Sequence, residues 1–193
     1  MTARIDWADG VWTTPPVRAV EVGDALRVTA VEGSDAWLRT AYGFVHDTEH
    51  ALLAPLRVGE AMEVVFAADF AREFDQAGVF VRVGAEQWMK AGVEFADGVL
   101  GVGAVVTDGA SDWSVGAVPE WSGRVLRVRV SRLPDALVVR AGVDGEPLRL
   151  VRVAPFLGDA DAAAGPFVCA PTRAGLEVVF TEWVRAAADV ALH

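Results

Sequence analysis

Short runs of alternating apolar and polar residues, separated by turn signals, dominate this sequence of 193 residues. Alternation with a period of two is typical of half-buried strands, and no stretch keeps a helical period over three turns. The turn signals include Asp97-Gly98, Asp108-Gly109 and Asp144-Gly145, since glycine tolerates positive φ and aspartate hydrogen-bonds its own backbone. The pattern predicts strands at 25–31, 37–42, 61–66, 76–83, 88–95, 100–107, 125–130, 137–143, 148–153 and 176–184.

Ten or more strands with short connections and no helix predict an all-β fold, a sandwich of two antiparallel sheets packed face to face. The length is that of one ordinary domain, so we expect residues 1–193 to form a single unit. Seven Trp and nine Phe residues supply bulk for its core. The segment 158–165, rich in alanine and aspartate, is predicted to be a surface loop.

Composition excludes several classes of function. The formal net charge is -10, whereas nucleic-acid binding needs clustered cations, so no nucleic-acid partner is expected. No apolar run reaches about 18 residues and the first residues contain no apolar leader, so we expect a cytoplasmic protein without a membrane partner. Cys169 is the single cysteine, which allows no internal disulfide and favours a buried thiol. No glycine-rich phosphate motif occurs and no cofactor is predicted, while monomer and homodimer both stay open.

One lysine, Lys90, stands among sixteen arginines. Lysine is a compact charge whose pKa moves on burial, whereas arginine is a planar group that stays charged. A position that keeps lysine is therefore a candidate for ligand binding or proton transfer. A buried structural lysine paired with Glu94 on the same strand explains the exception equally well.

Two neighbouring predicted strands, 76–83 and 88–95, carry the candidate site. Every odd position in both is apolar, and successive side chains of a strand point to opposite faces, so we expect the odd faces to be buried. A three-residue hairpin loop at 84–86 places Arg82 opposite Trp88, Phe80 opposite Lys90 and Gln76 opposite Glu94. The even face then sets a cation beside an aromatic ring twice, and each such contact contributes about 0.5–2 kcal/mol. This face is either a ligand site or a well-paired solvent face.

Four blocks of sequence extend the pattern beyond these two strands: WLRTAYGFVHD at 37–47 with His50, DQAGVFVR at 75–82, WMKAGVEF at 88–95, and VVT at 105–107 with SDWS at 111–114. A weaker fifth block is GPFVCAP at 165–171. Together they resemble, in order and over nearly the whole chain, a family of uncharacterised concanavalin A-like domains of the "regulation of enolase" type. Glu49 departs from the family pattern, which has a small residue before the histidine.

The resemblance implies a jelly-roll sandwich of the lectin/glucanase type, in which one sheet is concave and often holds a ligand, commonly a carbohydrate. The family has no established reaction, and a fold does not fix a function. The even face of 76–83 and 88–95 would be the concave one. Strand parity at 35–39 adds Asp35, Trp37 and Arg39 on one face. Aromatic rings for stacking and polar groups for hydroxyl or carboxylate groups give the candidate ligand-binding residues Trp37, Arg39, Gln76, Arg82, Trp88, Lys90, Glu94, Asp112 and Trp113.

Three functions remain open. The first is a binding domain for a small polar ligand, such as a sugar or sugar acid, with a role in regulating carbohydrate metabolism. The second is a glycan-active hydrolase that uses Glu94 as acid or base, with Asp75 or Asp112 as the second carboxylate of the pair that such chemistry needs. Glucanases of this fold carry alternating acids on one strand, and Lys90 and Gly92 stand in those places here, which disfavours hydrolysis. The third is an interaction domain that regulates a partner without binding a small ligand.

The segment from His46 to His50 matches the metal-protease pattern H-x-x-E-H. That chemistry needs both histidines on one helical face, with the glutamate as general base. The stretch between Gly43 and Pro55 is barely long enough for a helix. We therefore predict no metal here, and interpret the segment as a connection between strands whose His50 packs near a sheet.

Overall fold

Nearly all of the chain is β-structure in the computed structural model, which describes residues 2–156, 161–189 and 191–192. Two short 3-10 helices interrupt the strands, at Trp7–Asp9 and Pro119–Trp121. In chain order the strands are β1 (Ala3–Arg4), β2 (Val11–Trp12), β3 (Arg18–Val22), β4 (Ala25–Thr29), β5 (Ala36–Leu38), β6 (Val45–Asp47), β7 (His50–Leu56), β8 (Glu60–Ala68), β9 (Gln76–Arg82), β10 (Gln87–Ala96), β11 (Val99–Asp108), β12 (Ser111–Ala117), β13 (Leu126–Arg132), β14 (Ala136–Val143), β15 (Arg149–Pro155), β16 (Ala162–Cys169) and β17 (Glu177–Ala187).

The strands form two large antiparallel sheets, which confirms the predicted all-β sandwich. One sheet has eight strands in the order β15-β14-β13-β8-β17-β4-β3, with β1 beside β17. The other has seven strands in the order β12-β11-β10-β9-β16-β7-β2. Strands β5 and β6 form a separate two-stranded sheet. No helix in the described ranges is long and apolar enough to cross a membrane.

The predicted strands all correspond to observed ones, but several observed strands were not predicted. β7 and β16 are buried along almost their whole length, so they lack the polar alternation that marks a half-buried strand. The loop predicted at 158–165 is wrong at its end, because Ala162 already begins β16; residues 158–160 lie outside the described ranges. The strand predicted at 37–42 stops at Leu38, because Arg39 and Ala41 have positive φ values of 65° and 61°.

The register predicted for β9 and β10 is confirmed: Arg82 faces Trp88, Phe80 faces Lys90 and Gln76 faces Glu94. The odd residues of both strands lie in the main core between the two large sheets. Their even residues point to the opposite face of the seven-stranded sheet, and this face is largely covered. Part of it forms a second apolar cluster, whose members include Ala36, Leu38, Phe80, Trp88, Phe167 and Cys169.

Residues 35–48 provide this cover, and we call them the flap. The flap contains β5, a tight turn and β6. Its inner residues Ala36 and Leu38 are buried in the second cluster. The Ser111 hydroxyl at the start of β12 holds the flap in place by accepting the Leu38 N–H at 2.9 Å. The flap thus packs on the outer face of the seven-stranded sheet and buries part of it.

Candidate functional site

A cleft of about 350 Å³ opens between the flap and the outer face of the seven-stranded sheet. Its floor consists of side chains from the central strands, and its walls come from the flap and from three other segments. The floor residues are Gln76, Lys90, Glu94 and Val105. The wall residues are Asp35, Trp37, Tyr42, Phe44, His46, Phe74, Trp113, Pro171 and Thr172.

Three glycines lie in register on the strands that carry the floor residues. Gly78, Gly92 and Gly103 face one another across β9, β10 and β11. A Cβ atom on Gly92 would lie 2.1 Å from the Ala77 carbonyl oxygen, and one on Gly103 would lie 1.9 Å from the Ser114 carbonyl oxygen. Only glycine therefore fits these positions without moving main chain. A small hollow of about 20 Å³, lined by Gly92 and Gly103 among others, adjoins the cleft and shares Gln76, Lys90 and Glu94 with it.

An ion pair links the flap to the floor. Lys90 Nζ donates to Asp35 Oδ1 at 2.6 Å, and the lysine residue is only 4% exposed. Burial by itself would lower the pKa of Lys90, but the Asp35 carboxylate and other nearby acids outweigh it and leave the pKa raised. Lys90 is therefore a charged ammonium at neutral pH, with its charge balanced by the flap.

The Glu94 carboxyl lies on the same strand face as Lys90, with Gly92 between them. Burial raises its pKa from the ordinary value of 4.5 to about 7; the Lys90 charge opposes the shift, and Asp35 and Glu73 add to it. Among the described residues, its carboxylate oxygens have no hydrogen-bond or ion-pair partner. Glu94 thus keeps its proton to a higher pH than an ordinary glutamate, and its carboxyl oxygens are free to bond to a ligand.

Stacked aromatic rings form the flap wall of the cleft. Tyr42 stacks on Phe44 at 5.5 Å between ring centroids, Trp37 lies 6.2 Å from Tyr42, and His46 meets Phe44 edge-on. Tyr42 and Phe44 are 66% and 55% exposed, which is unusual for rings of this size. Trp113 of β12 stands on the other side of the floor and is also exposed. The cleft therefore has apolar walls around a polar floor.

Five of the nine predicted site residues meet in this cleft: Trp37, Gln76, Lys90, Glu94 and Trp113. The other four do not reach it. Trp88 is 2% exposed and stacks on Phe80 at 5.5 Å, so its ring is unavailable to a ligand in this structure. Its burial follows from the flap, which strand parity could not reveal.

The remaining three bind protein groups outside the cleft. Arg82 pairs with Asp47 and, at 3.1 Å, with the buried Glu49, and its guanidinium lies 6.0 Å from the Phe80 ring. Arg39 leaves the strand at its positive φ and binds Glu86 and the Gly109 carbonyl. Asp112 bonds to Arg152 of the opposite sheet at 2.8 Å.

Sequence reasoning missed Tyr42, Phe44, His46, Phe74, Pro171 and Thr172 as wall residues. The turn at 39–43 brings Tyr42 and Phe44 back over the sheet, and it requires Gly43 at a φ of 69°. The sequence Tyr42-Gly43-Phe44 was the available signal for these wall residues. It places two aromatic residues around a glycine that can adopt positive φ, as a tight turn requires. Phe74 has a φ of 64° beside the start of β9, and no pattern in the sequence indicates that.

The H-x-x-E-H segment lies in strands, with His46 in β6 and His50 in β7. The interpretation of this segment as a connection between strands holds only for Thr48 and Glu49 and is wrong for the two histidines. His50 is buried, and both ring nitrogens are used: Nδ1 bonds to the Thr14 carbonyl and Nε2 accepts the Val31 N–H, each at 3.0 Å. Burial lowers the pKa of His50, so the ring is neutral and structural. Across the described ranges, no three His, Cys, Asp or Glu residues are arranged to hold a metal ion.

Asp75, proposed above as a second acid, is also committed to the fold. Its carboxylate accepts the Ala71 and Arg72 N–H groups at 3.0 Å and pairs with Arg173 at 2.8 Å. Cys169 is a free, fully buried thiol whose pKa is raised by burial. Neither group faces the cleft, so the chemistry of the cleft depends on Asp35, Lys90, Glu94 and the aromatic walls.

Comparison with known sequences covers almost the whole chain. The sequence model of the family described as "Protein of unknown function (DUF1349)" matches residues 12–187. The chain is 33% identical over 187 residues to "Regulation of enolase protein 1" of Saccharomyces cerevisiae, spanning 96% of this chain and 94% of the relative. It is 29% identical over 133 residues to "Uncharacterized protein AN7484" of Emericella nidulans, spanning 65% and 66% of the two chains.

Solved structures with the same architecture come from two groups. A crystal structure of a functionally unknown protein from Saccharomyces cerevisiae superposes with a TM-score of 0.89 at 31% identity, covering 95% of this chain and 98% of that one. The carbohydrate binding module CBM66 from Bacillus subtilis gives a TM-score of 0.60 at 11% identity over 93% and 96%. The GH43 protein BlXynB from Bacillus licheniformis gives 0.69 at 12% identity, over 93% of this chain and 37% of that chain. At such low identity the last two share a fold with this chain and no more.

Proposed function

The chain belongs to the DUF1349 family of proteins of unknown function, and from its cleft we propose that it is a binding domain for a small polar ligand, with carbohydrate as the ligand class. The observation that carries the proposal is the combination of exposed aromatic walls with a buried polar floor. By analogy with the name of the yeast relative, the bound state would serve to regulate carbohydrate metabolism. A cytoplasmic location belongs to the same proposal, supported by the single cysteine, which permits no internal disulfide.

The composition of the cleft supports a sugar-like ligand. A pyranose ring has an apolar face that stacks on aromatic side chains and a rim of hydroxyl groups that need hydrogen-bond partners. Tyr42, Phe44 and Trp113 offer exposed rings, whereas Gln76, Lys90 and Glu94 offer donors and acceptors below them. A volume of about 350 Å³ lies at the small end of the range for ligand pockets, which is about 300–1,000 Å³.

Binding is better supported than hydrolysis. Glycoside hydrolysis needs two carboxyl groups about 5–10 Å apart across the scissile bond. Asp75 is held by Arg173, and Asp112 is held by Arg152, so neither is available as the partner of Glu94. Asp35 remains in the cleft, but Lys90 and the Ala36 N–H already occupy its Oδ1 atom.

A calorimetric titration with a panel of monosaccharides and short oligosaccharides tests the proposal. We expect saturable binding that Trp113→Ala weakens about fivefold, since stacking contributes on the order of 1 kcal/mol. Leu150→Ala is the matched control, because Leu150 is equally exposed (41% against 39%) but lies on the eight-stranded sheet. If no sugar gives a binding heat, or if Trp113→Ala and Leu150→Ala weaken binding equally, the proposal of a carbohydrate site in the cleft is refuted. Sugar turnover that Glu94→Gln abolishes would instead establish the hydrolase.

A further inference from the structure

We infer that the cleft prefers amino sugars to neutral sugars, with Glu94 as the group that binds the protonated amine. This inference rests on the proposed function and narrows its ligand class. It follows from the balance of charge in the cleft, from the pairing of the surrounding cations and from the chemistry of the walls.

The charged groups that line the cleft are two carboxylates and one lysine ammonium: Asp35, Glu94 and Lys90. Lys90 is bonded to Asp35, so that pair is internally balanced. When Glu94 ionises, its charge has no salt-bridge partner within the described residues. The cleft then carries one uncompensated negative charge, to which Glu73 nearby adds its repulsion.

The arginines around the cleft cannot supply the missing counter-charge, because each is already bonded to another acid. Arg39 binds Glu86, Arg82 binds Asp47 and Glu49, Arg152 binds Asp112, and Arg173 binds Asp75. An anionic ligand such as a sugar acid would meet net negative charge at the floor. A ligand ammonium group would balance it, since ion-paired hydrogen bonds are about twice as strong as neutral ones.

The aromatic walls favour the same ligand. Ring faces carry partial negative charge and attract ammonium groups that lie within about 6 Å of the ring centroid. Exposed rings of Tyr42, Phe44 and Trp113 border the cleft from two sides. A protonated amino sugar therefore finds both an uncompensated carboxylate below it and ring faces beside it, whereas a neutral sugar uses only the stacking and neutral hydrogen bonds.

Matched pairs of sugars test this inference: glucose with glucosamine, galactose with galactosamine and mannose with mannosamine, each titrated by calorimetry at pH 7. We expect the amino sugar of at least one pair to bind about tenfold more tightly than its neutral counterpart, and the N-acetylated sugar, which lacks the charge, to behave like the neutral one. In Glu94→Gln the amino sugar and its neutral counterpart should bind with about equal affinity. Glu146→Gln, an exposed glutamate of the opposite sheet's β14–β15 turn, is the matched control and should keep the preference.

The outcomes separate the two proposals. Equal binding of amino and neutral sugars overturns this inference and leaves the carbohydrate site standing. A preference for amino sugars that persists in a folded Glu94→Gln protein, checked by its melting curve, overturns the assignment to Glu94. Absence of binding by every sugar, charged or neutral, overturns both.

Discussion

The Lys90 ammonium lies 2.6 Å from Asp35 Oδ1, and this bond joins β10 of the seven-stranded sheet to the flap. Lys90 is the single lysine of the chain and is almost fully buried. Its partner is Asp35 on the flap, whereas the sequence alone offered Glu94 on the same strand. The single lysine therefore holds the flap to the floor of the cleft, which makes it a positioning residue for any ligand bound there.

We predict that Lys90→Arg costs about 1–3 kcal/mol of unfolding free energy, measured by urea denaturation. The planar guanidinium is larger than the ammonium, and a closely packed site has no space for it without strain. Asp35→Asn should cost about 3 kcal/mol, because it leaves a buried charge unpaired, and the double variant Asp35→Asn with Lys90→Met should recover part of that loss. If Lys90→Arg is as stable as the natural protein, the close packing inferred around the buried Lys90–Asp35 pair is contradicted.

An exposed pair gives the scale for this comparison. Arg124 and Glu146 lie 3.2 Å apart with both side chains 52% exposed. Pairs of this kind contribute about 0–1 kcal/mol, so Arg124→Met should leave the urea midpoint almost unchanged.

We predict that Glu94 makes the protein less stable as pH rises from about 5 to 8. The folded chain holds the Glu94 proton more tightly than the unfolded chain, because the pKa is about 7 when folded and 4.5 ordinarily. Unfolding then releases a proton in this window, and stability falls with increasing pH by at most about 3 kcal/mol. Melting temperatures of Glu94→Gln should rise relative to the natural protein as pH increases. A constant difference between pH 5 and 8 would contradict the raised pKa.

We predict that Gly92→Ala destabilises the protein by about 2 kcal/mol or more, whereas Gly116→Ala is nearly neutral. A Cβ on Gly92 meets the Ala77 carbonyl oxygen at 2.1 Å, while one on Gly116, also in the seven-stranded sheet, meets no atom within 4 Å. Neither glycine has a positive φ, so the comparison isolates the contact with the neighbouring strand. Thermal unfolding of the two variants side by side provides the measurement. Equal melting temperatures would show that β9 moves away from the added methyl group at little cost in stability, which would contradict the prediction.

We predict opposite effects for two tryptophans of the outer sheet face. Trp88→Ala should cost about 3–5 kcal/mol of stability, since a buried ring stacked on Phe80 is removed. Trp113→Ala should cost less than about 1 kcal/mol, since its ring is 39% exposed, yet it should be the one that weakens sugar binding. Chemical denaturation and calorimetric titration of both variants separate the two roles. A ligand effect confined to Trp88→Ala, in a protein of unchanged stability, would place the ligand elsewhere.

Much of the fold could be predicted from local pattern. Alternation marks a strand with one buried and one open face, and together with the three-residue loop at 84–86 it predicted the register of β9 and β10 residue by residue. It failed at β7 and β16, where both faces are buried and the sequence reads as a continuous apolar run. Burial on two sides removes the very alternation from which a strand is recognised.

The site was predicted only in part, for a related reason. Parity assigned Trp88, Lys90 and Glu94 to one face, and that assignment holds. Whether a residue on that face meets solvent, a ligand or protein depends on the flap, which arrives from a distant part of the chain. Its path includes positive φ values at Arg39 and Ala41. Positive φ is uncommon for both residue types, so the sequence does not predict it there. Asp35 was therefore left without a role, although it binds Lys90.

The glycines of the small hollow beside the cleft have a kinetic consequence. Where Gly92 and Gly103 line this hollow, its surface is main chain, which is held by ladder hydrogen bonds to strands on both sides and has no rotamers to rearrange. A ligand that reaches this part of the surface displaces no side chain from it. Stopped-flow association should therefore show one phase whose rate grows in proportion to ligand concentration, with selectivity arising from how long each ligand stays.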